Sequence, residues 1–307
     1  MDQSCLVTFK LPPLVGYLPC RKVLTVSGGR TLIEHIQRQY PDIAPGEWQQ
    51  RFALGHVRDR EGSCLRPDAA VRLPFELHYY RPFSEAPIPV TEQILYQDAD
   101  LVVVDKPHFL PVHPAGKYLK ETLVARVIAR LGNPELSPLH RLDRLTAGLV
   151  LFSTRAQTRP LYQNLFRDRA VEKRYEALAP ALPKLDFPLR RQSCLQRHAD
   201  GFRSVECEGP ANADTAIEVI ERGPQYWRYA LWPRTGQMHQ LRVHLCALGA
   251  PILNDPWYPE AQPSGPDDYA RPLQLLAQSL SFIDPISGRR RQFCSHLSLQ
   301  PEPDAPA

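Results

Sequence analysis

The chain has 307 residues, 43% of them hydrophobic, so it is long enough to bury a substantial core in one large domain with a smaller one. Its formal net charge of +4 is compatible with a nucleic-acid partner without indicating one. Seven scattered cysteines without a CxxC pair argue against a disulfide framework or a structural zinc site, and the lack of any apolar run of about 18 residues argues against a membrane span.

The N-terminal part of the chain predicts two short helices followed by a strand. Apolar residues recur at helical spacing over residues 31–40, with Thr31 as a plausible N-cap. Trp48 and Phe52 stand one helical turn apart and predict a second helix, and residues 71–80 then resemble a strand.

Closely spaced prolines mark a linker over residues 83–93, because proline resists both helix and sheet. The continuous apolar run Leu101–Val104 predicts a central strand that is buried on both faces. Lys106 and His113, each followed by proline, come next on a loop. From the residues alone, these two side chains either shape a turn or serve a site.

Residues 138–148 are polar and dense in charge, and they lead directly into the apolar run Leu149–Phe152. This pattern predicts a tight loop that delivers the chain into a buried strand. Asp143 therefore lies on a loop held by a rigid element, where catalytic groups are common. A carboxylate between two arginines is also compatible with a surface ion pair or a turn cap.

Two helices are predicted on either side of this loop, over residues 123–131 and 155–169. The first should end near Gly132. In the second we expect Leu161 to be buried with its apolar neighbours, which leaves the arginines of that helix for solvent or for phosphate.

The next part of the chain predicts mainly strands. Residues 171–179, which include Tyr175, and residues 216–221 and 226–232 show strand patterns. The connection over residues 180–215 is long and polar. Its arginines either line a groove for a nucleic-acid backbone or belong to a disordered insertion.

Residues 234–249 predict a turn followed by a helix. His239 and Arg242 are three residues apart, so we expect them on one side of the helix. His239 and His244 are five apart and point to different faces, which excludes the zinc-protease motif with its spacing of four.

The string His140-Arg141-Leu142-Asp143-Arg144-x-Thr146-x-Gly148 resembles the signature of the Rlu-type RNA pseudouridine synthases. Three further segments resemble that family's motifs in the same order: Lys106-Pro107, Lys173–Ala177 and Thr235–Leu245. The resemblance spans roughly residues 94–296. Four ordered motifs make a chance match improbable.

The resemblance implies an α+β fold in which residues 94–299 form a pseudouridine synthase catalytic domain. Its mixed, mainly antiparallel central sheet should lie in two halves with the cleft between them. Residues 1–82 would be a small N-terminal α/β extension, either a degenerate alpha-L RNA-binding module or a family-specific addition. We expect a disordered tail over residues 300–307.

The resemblance also implies a function, the isomerisation of specific uridines in rRNA or tRNA to pseudouridine. Asp143 would be the catalytic carboxylate, acting as a nucleophile or as a base. A guanidinium beside it would keep the pKa of that carboxyl low, and the family pattern assigns this partner as Arg242. Tyr175 would stack on the base and help to take the proton from C5. The implied substrate-binding residues are Arg141, which would occupy the place of the extruded uridine, with His140, Thr146, Lys106, His239 and Gln240.

The reaction requires no metal or other cofactor, because both parts of the nucleotide stay bound throughout. We expect a soluble cytoplasmic monomer that binds RNA and does not contact membranes. The target would be read mainly in unpaired or distorted RNA.

Departures from the family pattern leave other functions open. Gln237 and Met238 stand where Arg and Thr or Ser are usual, which is compatible with an RNA-binding or RNA-folding factor that has lost activity. A hydrolase using His140 or His113 is disfavoured, because the chain has no Gly-x-Ser-x-Gly motif. Further departures are Ala147, Asn254 and Leu276.

Overall fold

The structure, a computed structural model, describes residues 19–80, 85–114, 118–263 and 265–300. The chain divides into two compact units, Met1–Ala86 with Gly116–Lys120, and Pro87–Ala115 with Glu121–Ala307. Apart from Gln300, the predicted tail lies outside the described residues. Every helix in the described part of the chain is too short or too polar to traverse a lipid bilayer.

The first unit contains a three-stranded antiparallel sheet with the order β1-β3-β2 and two helices. Its elements are β1 (Cys20–Leu24), α1 (Leu32–Gln39), α2 (Pro45–Ala53), β2 (Val57–Arg58) and β3 (Phe75–Tyr79).

Both helices predicted for this unit are confirmed. The Thr31 hydroxyl accepts a hydrogen bond from the Glu34 amide at 3.4 Å and caps α1. Leu32, Trp48 and Phe52 pack in the same buried cluster. The predicted strand is shorter than expected, since it begins only after Pro74, which has no amide hydrogen to donate to a sheet. A role for this unit in RNA binding stays a prediction.

The second unit is built on an eleven-stranded sheet whose main path has the order β10-β9-β11-β12-β8-β13-β7-β5-β4, with β14 pairing with β13 and β6 with β7. Its strands are β4 (Gln93–Gln97), β5 (Leu101–Lys106), β6 (Ser137–Pro138), β7 (Ala147–Ser153), β8 (Glu172–Pro180), β9 (Leu189–Arg197), β10 (Ser204–Cys207), β11 (Ala213–Arg222), β12 (Tyr226–Pro233), β13 (Leu275–Ile283) and β14 (Arg290–Cys294). Its helices are α3 (Leu123–Leu131), α4 (Arg159–Arg167) and α5 (Gln240–Ala247).

The predicted mixed, mainly antiparallel sheet in two halves is confirmed. All described strand pairs of the second unit are antiparallel except β13 with β7. This parallel junction joins the two halves and is short, pairing Leu276 with Ala147 and Ala277 with Gly148. Gly148 has φ +111°, and a Cβ there would lie 2.3 Å from the Ala277 carbonyl oxygen, so only glycine fits.

The central position of β5 is also confirmed. Leu101–Val104 are fully buried, and β5 lies between β4 and β7. Helix α3 ends as predicted at Gly132, whose left-handed conformation (φ 64°) terminates it.

The prediction that Leu161 is buried is wrong. Helix α4 begins only at Arg159, and the face it turns to the core carries Tyr162, Leu165 and Phe166, at spacings of three and four residues. Leu161 lies off that face and is 45% exposed.

A disordered insertion over residues 180–215 is also excluded. This region forms β9 and β10, and β11 begins within it, so that it extends the sheet. Two of its arginines form ion pairs with carboxylates of neighbouring strands. Arg190 pairs with Asp214 of β11, and Arg191 with Glu206 of β10, so these charges are balanced across neighbouring strands.

Candidate active site

A cleft of about 1030 Å³ opens where the loop of residues 138–148, here named the signature loop, meets β8, the end of β12 and the start of α5. Seven basic residues line it against three acidic ones. The excess of positive charge suits a polyanionic ligand. The basic residues are Arg141, Arg167, Arg169, Lys173, Arg190, Arg234 and Arg242, and the acidic ones are Asp143, Glu172 and Asp214.

Asp143 lies at the turn of the signature loop, where its carbonyl accepts a hydrogen bond from the Thr146 amide at 3.1 Å. Its carboxylate is 27% exposed in the cleft. Oδ2 lies 3.6 Å from Nη1 of Arg242 and 3.7 Å from Nε2 of His239. One carboxylate oxygen therefore faces two nitrogen groups from the start of α5, and His239 and Arg242 lie on one side as their spacing predicted.

Arg242 is held by a second carboxylate behind the cleft. Its Nε and Nη2 donate to Oδ2 and Oδ1 of Asp255 at 2.7 and 2.6 Å, and the guanidinium packs against the Trp257 ring at 4.9 Å. Nη1 has no hydrogen-bond partner among the described residues and is fully buried. An unpaired buried donor is unfavourable. We therefore expect this nitrogen to donate a hydrogen bond to Asp143 or to a ligand.

His239 is neutral at pH 7. Burial lowers the pKa of its imidazole to about 4, an effect that the nearby Asp143 charge only partly offsets. Its Nδ1 lies 3.0 Å from the Tyr258 hydroxyl, and its backbone is left-handed (φ 55°) at the start of α5. These contacts fix the ring with Nε2 toward Asp143.

Tyr175 lies on β8, opposite Leu231 of β12, and lines the cleft. Burial and the charge of Asp143 both raise the pKa of its phenol. The side chain therefore presents a neutral aromatic ring and a protonated hydroxyl.

The family model described as RNA pseudouridylate synthase matches residues 100–247. An uncharacterized RNA pseudouridine synthase of Aquifex aeolicus is 30% identical over 277 residues, which cover 84% of this chain and 87% of that protein. The chain belongs to the RNA pseudouridine synthase family.

Other members support the same assignment. Human pseudouridylate synthase RPUSD2 is 35% identical over 178 residues, 55% of this chain and 32% of that protein, so the chain spans about a third of that relative. The structure of human RNA pseudouridylate synthase domain containing 4 has a TM-score of 0.53 at 27% identity, covering 67% of this chain and 88% of that chain. The resemblance of the motifs to this family is thus confirmed.

A contact between Lys106 and substrate stays a prediction, and the structure gives this side chain partners within the protein. The side chain is fully buried and outside the lining of the cleft. Its Nζ donates to the carbonyls of Pro107, Leu110 and Arg144 at 3.0, 2.9 and 3.1 Å. Burial lowers the pKa of Lys106 to about 7, against the opposing effect of the Asp143 charge. Lys106 therefore holds the signature loop through its hydrogen bond to the Arg144 carbonyl.

The side chain of Gln240 also holds a loop in place through hydrogen bonds within the protein. Its Oε1 accepts hydrogen bonds from the Thr235 hydroxyl and the Gln237 amide at 2.7 and 3.1 Å. Its Nε2 donates to Asp214 O and Thr215 Oγ1 at 3.0 and 2.9 Å. The amide group is fully hydrogen-bonded within the protein, and Gln240 lines the cleft, so direct substrate binding by this side chain stays a prediction.

The remaining predicted residues divide into two groups. The ring of His140 makes contacts within the protein. Its Nε2 accepts a hydrogen bond from the Leu151 amide at 3.1 Å, and the ring stacks on Phe166. Arg141 is exposed and lines the cleft together with the buried Thr146, so both remain candidate substrate contacts.

Asp255, the carboxylate that pairs with Arg242, is absent from the candidate residues that the sequence indicates. Nothing in the sequence connects it to Arg242, which lies 13 residues earlier. A buried arginine without an acidic neighbour at helical spacing is the signal that could have prompted the search for such a carboxylate. Among the described residues, no group of three or more His, Cys, Asp or Glu could hold a metal ion.

Proposed function

We propose that this protein isomerises uridine in RNA to pseudouridine in the cleft around Asp143. The observation that carries this proposal is the carboxylate of Asp143 facing a buried guanidinium nitrogen of Arg242 at 3.6 Å, in a basic cleft of the family fold. In the reaction the bond from ribose C1′ to N1 breaks, the base rotates, and a bond from C1′ to C5 forms. C5 loses a proton and N1 gains one, so the product is an isomer.

Asp143 begins the reaction either as a nucleophile or by removing a ribose proton. The guanidinium of Arg242 places a positive charge 3.6 Å from this carboxylate. Tyr175 supplies a neutral ring on which the detached uracil can stack while it rotates. Its raised phenol pKa favours a positioning role over abstraction of the C5 proton.

We propose that Arg141 fills the gap that an extruded uridine leaves in the RNA. It is the exposed basic residue of the signature loop two positions from Asp143. Extrusion costs a few kcal/mol and least where the uridine is already unpaired. We therefore propose an unpaired or distorted region of RNA as the target.

We propose tRNA as the first substrate to test, with rRNA as the alternative. A mitochondrial tRNA pseudouridine(32) synthase of Saccharomyces cerevisiae is 31% identical over 177 residues, 55% of this chain and 38% of that protein. This likeness supports the order of testing.

Tritium release tests the reaction directly, because the C5 hydrogen must leave. Unmodified tRNA and rRNA transcripts labelled at uridine C5 are incubated with the wild type and with Asp143→Asn. We expect release by the wild type alone, while both proteins bind RNA with similar affinity. Activity of the Asn variant would refute the role of Asp143. No release by the wild type from either RNA would favour the RNA-binding factor without activity.

A further inference from the structure

A second hollow of about 430 Å³ adjoins the cleft. The two share Glu172, Lys173 and Trp232 in their linings, so a ligand chain can pass from one to the other without leaving the surface. The rest of the second hollow comes from β8, β13 and β14. Its polar residues there are Arg174, Ser279, Ser281, Arg290 and Gln292.

Trp232 differs from the other three tryptophans of the chain in its surroundings. Trp48 packs on Tyr79, Trp227 on Tyr229 and Trp257 on His239, with ring centroids 5.0, 6.2 and 4.9 Å apart. Within the described residues the Trp232 ring meets neither another aromatic ring nor a cation. It is partly exposed at the boundary of the two hollows. Its ring is therefore open to stacking by a ligand.

The charge of the second hollow also suits RNA. Lys173 and Arg290 outnumber Glu172 there, while Arg174 is paired with Glu176 at 2.9 Å. Arg290 lies 3.2 Å from Glu172, but the two side chains are 65% and 77% exposed. An ion pair this exposed contributes little stability, so a phosphate can replace the carboxylate at low cost.

We infer that the second hollow binds a nucleotide neighbouring the target uridine, with its base stacked on Trp232 and its phosphate bound by Arg290. Single-stranded nucleic acid is recognised by this combination of an aromatic ring and a basic groove. The volume lies within the range of about 300–1,000 Å³ usual for sites that hold one small ligand. This inference rests on the proposed function in one respect, that the ligand is RNA. It does not depend on the chemistry of the reaction.

The stacking contact is tested by the affinity for a short, unstructured, fluorescently labelled RNA, followed by anisotropy. We expect Trp232→Leu to weaken binding about ten-fold, as loss of one base stack does. Trp232→Phe keeps an aromatic face and should stay within about three-fold of the wild type. A Leu variant that binds as tightly as the wild type, or a Phe variant as weak as Leu, would overturn the stacking role.

The phosphate contact is tested by the salt dependence of the same affinity. Arg290→Gln should lower the slope of log affinity against log salt by about 0.7, the contribution of one phosphate contact on a single strand. Arg289→Gln is the matched control, because Arg289 is exposed, adjacent and outside the hollow. Equal slopes for the two variants would overturn the assignment of Arg290.

The two proposals fail in different ways. If the reaction is wrongly assigned, the wild type releases no tritium although RNA binding still depends on Trp232. If the second hollow is wrongly assigned, tritium release persists and RNA binding is unaffected by Trp232→Leu.

Discussion

Arg242 and Asp255 form a buried bidentate pair, with nitrogen to oxygen distances of 2.6 and 2.7 Å, and this pair aims the third guanidinium nitrogen at Asp143. Asp255 is buried and outside the lining of the cleft. We therefore expect it to act only through the orientation and charge balance of Arg242.

We expect Asp255→Asn to lower the single-turnover rate about 100-fold, because a guanidinium displaced by about 1 Å loses its alignment. Stability should fall by about 3 kcal/mol, since a buried charge loses its partner. Tritium release at saturating enzyme and urea denaturation measure the two effects. The exposed Asp268→Asn is the control. An Asp255→Asn enzyme that stays folded and turns over like the control would contradict this role.

Lys106→Met should disturb the signature loop without removing a substrate contact. It orphans carbonyl oxygens of Leu110 and Arg144 that the ammonium now satisfies, at a cost of about 1–3 kcal/mol each. We expect turnover to fall about ten-fold and the affinity for a short RNA to stay unchanged. Lys184→Met, at an exposed site, controls for the lost charge. A variant that loses RNA affinity while turning over bound RNA normally would contradict this role and support a substrate contact by Lys106.

Stability should decrease as the pH falls from 7 to 5. Burial holds the pKa of His239 and of His244 at about 4, and that of His140 at about 3, below the ordinary 6.5. Below pH 6.5 these histidines bind protons in the unfolded chain. In the folded chain they bind protons only near their lower pKa values, so acid favours unfolding. The loss is on the order of 2 kcal/mol per histidine at pH 5.

Urea denaturation at pH 7, 6 and 5 measures this loss. His244→Gln should remove one histidine's share of the pH dependence, because the imidazole that hydrogen-bonds Thr215 and Ser193 is gone. Equal stability at pH 7 and pH 5 would show that these rings titrate normally.

Gly148→Ala should be severely destabilising, by more than about 3 kcal/mol. The added methyl group would lie 2.3 Å from the Ala277 carbonyl oxygen, in a backbone conformation of φ +111°. Gly132→Ala has a positive φ but open space around its Cβ, so we expect a loss of about 1 kcal/mol. Similar midpoints in urea for the two variants would contradict a close approach of β7 and β13.

The sequence predicted those parts of the structure that local patterns determine. Thr31 before an amphipathic run and Gly132 after one mark helix ends by their own backbone chemistry. Family motifs identified Asp143, Tyr175 and Arg242, and the fold brings all three to one cleft. Their catalytic roles stay predictions.

The parts that were missed depend on contacts between distant residues. The sequence cannot show that Arg190 pairs with Asp214, because β9 must first lie beside β11. The sequence leaves open whether Lys106 shapes a turn or serves a site, and its hydrogen bond to the Arg144 carbonyl appears only once the signature loop has folded over it. A sequence shows which groups need partners, but the tertiary fold decides which partners they meet.

The parallel junction also has a consequence for the order in which the site is assembled. Strand β13 lies between β8, which carries Tyr175, and β7, which follows Asp143. The spacing of these two side chains is therefore set by a strand that the ribosome makes after both of them. A nascent chain that stops at residue 274 already contains Asp143, Tyr175 and Arg242. It still lacks the strand that brings them together, so we expect no isomerisation until β13 has been synthesised.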